Sequence, residues 1–171
     1  MILSTKPKAG AKVPIVTVNA TGKTSFLLVD NFILSKKIII KLKEANADAV
    51  KFQTFKAESL VSRTAEKADY QKKTTDSSES QFDMIKKLEL DVSTHKELLT
   101  YCQEKGIMFL SSPFDHDSID LLSDLGLQIF KIPSGEITNL PYLRHIGSLR
   151  KKVVLSTGMS TLQEVENALT V

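Results

Sequence analysis

Residues 47–55, ADAVKFQTF, alternate apolar and polar side chains over a run too short for a helix. Strand periodicity puts Val50, Phe52 and Thr54 on one face and Ala49, Lys51 and Gln53 on the other, so two polar side chains point the same way near the C-terminal end. Three further stretches repeat this plan: IMFLSSPF (107–114), IFKIPSGE (129–136) and VVLSTGM (153–159). Each is apolar at first and ends in polar residues. Successive buried strands that carry their polar groups at one end indicate a ligand site along that edge of a sheet.

Helical patterns fill the intervals. LSKKIIIKLKEANA (34–47) offers Ile39, Ile40 and Leu42 to a buried face and ends at Asn46. Ser80 starts a helix over 81–90, with Asp83 in the position that usually holds Glu or Gln. A second begins at Ser93 and stops at Gly106, a third covers 117–125 before Gly126, a short one covers 140–146, and the last starts near Ser160 with Glu164 in its first turn. Residues 58–80 form a long polar excursion. Strands alternating with helices predict parallel βαβ units, in an open doubly wound sheet or part of a barrel; the polar strand ends favour the barrel.

Composition narrows the function classes. At 171 residues, 42% hydrophobic and 25% charged, the chain can bury one core. A net charge of +3 with scattered lysine pairs gives no reason to expect nucleic acid. No apolar run is long enough for a bilayer, and the N-terminus lacks a signal-peptide core, so a cytoplasmic protein is expected. The single cysteine, Cys102, excludes an intrachain disulfide and sits in a helical pattern as a semi-buried residue.

Lys51 and Lys131 are the most informative single residues. A lysine within an apolar strand is costly unless an anion or a buried acid meets it. Ser111-Ser112, Ser134-Gly135 and Ser156-Thr157-Gly158 add hydroxyls and backbone amides at strand ends, which suits a phosphate or carboxylate. Glu136 is a candidate proton donor or acceptor at the same rim. His95, His116 and His145 are too far apart in sequence for a metal motif, and His95 and His145 are expected on helix surfaces. Thr21-Gly22-Lys23-Thr24 mimics the end of a P-loop, but Thr17 stands where the first glycine belongs, which argues against nucleotide hydrolysis.

Residues 47–169 resemble the N-terminal catalytic barrel of the N-acetylneuraminate (sialic acid) synthase family, through ADAVKFQTFKAE, FLSSPFD, FKIPSGEITNLPYL and VVLSTGMSTLQEVE. The legionaminic and pseudaminic acid synthases share this plan, and SGEITN is closer to the sialic and legionaminic type. The resemblance implies a partial TIM (β/α)8 barrel, strands two to five with their helices, over residues 35–171, preceded by a divergent segment, 1–34. In that segment VNATG (18–22) keeps Asn19 and Gly22 of the family's first strand but has Ala20 in place of its histidine.

By the same resemblance, the reaction is condensation of phosphoenolpyruvate with N-acetylmannosamine or a related N-acetylated amino sugar to a nine-carbon keto acid. Lys51, Ser112, Lys131, Ser134 and Ser156 correspond to residues that hold phosphoenolpyruvate, Gln53 to a sugar contact and Glu136 to a catalytic acid. Ser112 stands where the family often has threonine. The family uses a divalent metal, Mn or Mg, whose histidine ligands lie on later strands and are absent from this chain. The expectation is an incomplete, inactive fragment; the alternatives are half of a split active synthase and a non-catalytic anion-binding or assembly module. Homodimerisation or association with a missing C-terminal half is expected, with neither nucleic acid nor membrane as a partner.

Overall fold

A computed structural model of the chain describes residues 15–20, 23–28, 32–65, 80–158 and 160–171. Its elements, in chain order, are β1 (Ile15–Ala20), β2 (Lys23–Leu28), α1 (Phe32–Glu44), β3 (Ala49–Thr54), α2 (Ala57–Leu60), α3 (Gln81–Lys86), α4 (Val92–Glu104), β4 (Met108–Pro113), α5 (His116–Asp124), β5 (Ile129–Ile132), α6 (Leu140–Ser148), β6 (Lys152–Leu155) and α7 (Leu162–Leu169). A 3-10 turn, Ser134–Glu136, lies between β5 and α6. The polar excursion from residue 66 to 79 falls outside the described residues.

The four strands read from the sequence form as expected, and their alternation decides what packs where. In β3 every second residue is buried, with Val50 and Phe52 fully enclosed. They join Phe109, Phe130 and Ile132 in a core covered by Ile39 of α1, Leu98 of α4, Ile119 of α5 and Tyr142 of α6. Phe52 and Phe109 stack with ring centroids 5.2 Å apart, which locks β3 to β4 from the helical side. On the opposite face Lys51, Gln53, Leu110 and Lys131 are half-buried and Ser112 is buried, while β6 leaves Val154 at 52% exposure.

β3 and β4 run parallel in register from Ala49↔Met108 to Thr54↔Pro113, and β5 and β6 run parallel from Ile129↔Lys152 to Ile132↔Leu155. β4 and β5 are neighbours across the join between these two ladders. The parallel expectation does not extend to the start of the chain. β1 forms a hairpin with β2 and pairs antiparallel with β3, with Thr17 opposite Lys51. Alternation alone cannot report strand direction, because both pairings repeat every two residues.

Helix ends follow their stop signals closely. Asn46, Gly106 and Gly126 all take positive φ, at 57°, 62° and 83°, where glycine and asparagine are tolerated best. Helix starts differ in detail. Ser80 caps α3 as expected, accepting from the Asp83 amide at 3.0 Å, but α3 stops at Lys86. Asp91 caps α4 in place of Ser93, and Thr161 closes a capping box with Glu164 in place of Ser160. Where several capping residues adjoin, the backbone entering the helix decides which is used.

The buried face of α1 also needs correction. Ile38 and Ile39 are buried whereas Ile40 is 37% exposed. The helix begins at Phe32, and its inner stripe runs Ser35, Ile38, Ile39 and half-buried Leu42, the spacing of one helical face. Among the described residues, no helix is long and apolar enough to cross a membrane.

Candidate anion-binding site

The strand face opposite the helices collects the candidate residues by pleat and register. Lys51 and Gln53 of β3 stand on it, half-buried, and the parallel register sets Gln53 beside Ser112 of β4. Lys131 of β5 pairs in register with Val154 of β6 and presents its side chain to the same face. The ladder extends one residue beyond β6, where the Ser156 amide donates to the Ile132 carbonyl at 3.0 Å. Ser156 therefore continues the face that Val154 occupies. At the strand ends, a Cβ built on Gly158 would lie 3.9 Å from Ser134 Oγ, so the loops after β5 and β6 meet.

The electrostatics of this face are unbalanced. Burial, with the like charge of Lys131 added, lowers the Lys51 ammonium to about 8. Burial alone lowers Lys131. Among the described residues neither ammonium has a carboxylate partner. Two desolvated cations close enough to repel each other favour a bound anion.

Ser112 adds an independent sign. Its side chain is completely buried, and its Oγ has no hydrogen-bond partner among the described residues. A buried hydroxyl left unpaired costs about 1–3 kcal/mol, a penalty that a ligand acceptor would remove. Ser111, read from the sequence as a second site hydroxyl, is instead used elsewhere. It faces the helices and bonds Thr54 Oγ1 at 2.7 Å.

Glu136 ends the 3-10 turn that follows Ser134. Its Oε2 accepts from Asn139 Nδ2 at 2.7 Å, and its charge helps raise the buried Tyr142 hydroxyl, after burial itself. Asn139 also caps α6 through its Oδ1, which accepts from the Tyr142 amide. A capped helix thus fixes the turn that carries Glu136. Asp115 does the equivalent after β4: one oxygen accepts from the Ser118 amide and the other from the Lys56 amide, tying α5 to the end of β3.

Two features escaped the sequence reading. His95, expected on a surface, is fully buried. It bonds Thr54 Oγ1 through Nε2 at 2.8 Å and the Asp91 carbonyl through Nδ1 at 2.8 Å. The signal was present: His95, Leu98 and Cys102 lie three and seven residues apart, on one helical face, and all are buried. His116 and His145, 29 positions apart, touch at 2.7 Å.

Among the described residues no group of three or more His, Cys, Asp or Glu side chains is placed to hold a metal ion. An open cleft of about 280 Å³ between α1 and α4 is lined by Lys36, Lys96, Glu97, Thr100, Tyr101 and Glu104. These are helix-surface side chains remote from the strand ends, so the cleft is no rival to the cationic face.

Fold and site together define an α/β protein whose alternating strands and helices carry two desolvated lysines on one strand-end face. The model of the NeuB family matches residues 38–171, and the chain belongs to that family. It is 57% identical over 138 residues to the N,N'-diacetyllegionaminic acid synthase of Campylobacter jejuni, covering 81% of this chain and 41% of that protein. Against the protein of the same name from Legionella pneumophila it is 50% identical over 136 residues, covering 80% and 38%. The chain thus spans about two fifths of the length of these relatives. Among solved structures, an N-acetylneuraminic acid synthetase of Leptospira borgpetersenii superposes with a TM-score of 0.69 at 21% identity, covering 92% of this chain and 55% of that one.

Proposed function

We propose that this strand face binds phosphoenolpyruvate and that the chain forms the phosphoenolpyruvate side of a (β/α)8 synthase barrel. That barrel would condense phosphoenolpyruvate with an N-acetylated amino sugar to a sialic or legionaminic acid. The observation that carries this reading is the pair of desolvated lysines, without carboxylate partners among the described residues, beside the orphaned Ser112 hydroxyl. Helices packed on one side of the strands suit a barrel better than a doubly wound sheet, which is covered on both faces. The names of the two legionaminic acid synthases support the sugar class.

In this reading Lys51 and Lys131 neutralise the phosphate and carboxylate, while Ser112, Ser134 and Ser156 donate hydrogen bonds to their oxygens. Gln53 contacts the sugar. C3 of phosphoenolpyruvate forms the new carbon–carbon bond to the sugar aldehyde carbon, whose oxygen takes up a proton. Water adds at C2 and phosphate departs, with Glu136 as the proton donor or acceptor beside the reacting carbons. The family's Mn or Mg ion would polarise the aldehyde. Among the described residues no three-residue group is placed to hold that ion. A substrate drawn from central metabolism suits a cytoplasmic location.

By itself the 171-residue polypeptide is expected to bind the anion with little or no turnover. A second polypeptide that completes the barrel is the alternative for an active enzyme, favoured by exposed Val153 and Val154 on β6 and Leu162 and Leu169 on α7. Calorimetry with phosphoenolpyruvate should give binding to the wild type and at least tenfold weaker binding to Lys131→Ala. Equal heats would remove the lysine pair from the account. Manganese-dependent product from the polypeptide alone would refute its expected inactivity.

A further inference from the structure

His116 opens α5 and His145 lies in the last turn of α6, on the outer helical layer. Their Nδ1 atoms are 2.7 Å apart, the ring centroids 5.0 Å apart and the planes within 17°. A face-to-face stack would bring the centroids closer for so short a nitrogen contact. The rings therefore meet edge to edge, nearly coplanar, with the two Nδ1 positions aimed at one another. On the far side of the second ring, His145 Nε2 contacts Asp120 Oδ1 at 2.9 Å.

With His145 neutral, one placement of the hydrogens satisfies both contacts. The Asp120 carboxylate only accepts, so His145 Nε2 carries a proton, and the Nδ1 of neutral His145 presents a lone pair to His116. A carboxylate on one imidazole nitrogen, with the lone pair of the other directed at a second histidine, is the usual preparation of a metal-binding histidine; here that lone pair accepts from His116 until an ion replaces the hydrogen. Asp120 lies one helical turn after His116, so α5 supplies one ligand and the orienting carboxylate while α6 supplies the facing ligand.

We propose that His116 and His145 form a site for a divalent transition-metal ion of the zinc or copper class, which clamps α5 to α6. On binding, the hydrogen between the rings moves to His116 Nε2, leaving both Nδ1 lone pairs on the ion and both imidazoles neutral. Two imidazoles on a tetrahedral zinc stand about 3.3 Å apart at the nitrogen atoms, so the rings must part by roughly half an ångström and tilt. The exposed His116 side chain has room to do so. Solvent completes the coordination, since the protein offers two ligands. Imidazole ligation favours copper over zinc. The site uses none of the strand-face lysines or serines, so its test does not depend on the function proposed for them.

The test is titration of tag-free protein with zinc chloride, followed by calorimetry and thermal unfolding. One ion per chain and a raised Tm are expected in the wild type, with both lost in His116→Gln and in His145→Gln. Asp120→Ala should weaken binding about 10–100-fold. In case a variant misfolds, histidine ring resonances of the wild type give a second readout. Zinc should perturb His116 and His145 and leave buried His95 unchanged. No binding, binding that survives both histidine substitutions, or shifts confined to other residues would overturn the proposal.

Discussion

Lys51 is held at about 8 by burial and then by Lys131, whereas the unfolded chain keeps the ordinary lysine value of 10.5. The unfolded state therefore binds this proton more tightly, and stability should rise as pH climbs from about 8 toward 10.5. Below 8 the charged side chain costs stability, so Lys51→Met should stabilise the protein at pH 7 by on the order of 1–2 kcal/mol in urea unfolding. The same substitution should weaken phosphoenolpyruvate binding. In the wild type that affinity should fall about tenfold per pH unit above 8, as the cation is lost. A flat affinity profile between pH 7 and 9.5 would rule out a protonated Lys51 in the complex. These lysines were legible because the type of residue clashes with the apolar strand around it. The orphaned state of Ser112 was not: alternation puts it on the face opposite Ser111, but whether a partner reaches its hydroxyl depends on tertiary neighbours.

Between the elements, a buried polar chain joins β4, β3 and α4. The Asp91 carbonyl must accept from His95 Nδ1, which leaves Nε2 of the neutral ring to accept from Thr54 Oγ1 and makes Ser111 the donor to Thr54. Burial depresses His95 and keeps it neutral, as this polarity requires. Thr54 and Ser111 adjoin Gln53 and Ser112 in sequence, so the network anchors the two strands next to the residues that bear on the site. Thr54→Val keeps the shape but strands two partners, and should cost about 1–3 kcal/mol by chemical denaturation. A loss below 0.5 kcal/mol would mean that the partners find other bonds. On the same helical face, burial pushes the Cys102 thiol up to about 12. It should resist alkylation in the folded protein and react on unfolding. The stop signals at Asn46, Gly106 and Gly126 were readable because each solves a backbone problem on its own. His95 was misread because a histidine was assigned by its polarity, without the helical spacing that links it to Leu98 and Cys102.

At the scale of the molecule, helices seal one face of β3, β4 and β5 but not of β6, and the apolar surface does not end with the core. Val153 is 45% and Val154 52% exposed on opposite faces of β6, so that strand is uncovered on both sides. Leu162 and Leu169, seven residues apart, expose 74% and 73% on one side of α7. Among the described residues β6 also pairs with β5 alone, which leaves a strand edge free. Apolar surface beside an unpaired edge drives association. Sequence alternation predicted which strand residues are apolar, but exposure depends on what covers them, and no local pattern encodes that. The isolated polypeptide should therefore self-associate, with a weight-average mass that rises with concentration in sedimentation equilibrium. Replacing Val153 and Leu169 by lysine, both already exposed, should shift that equilibrium toward monomer with little loss of folding stability. Sedimentation as a monomer at ~100 µM, well within the range where exposed strand edges aggregate, would show that this surface is tolerated in water without a partner.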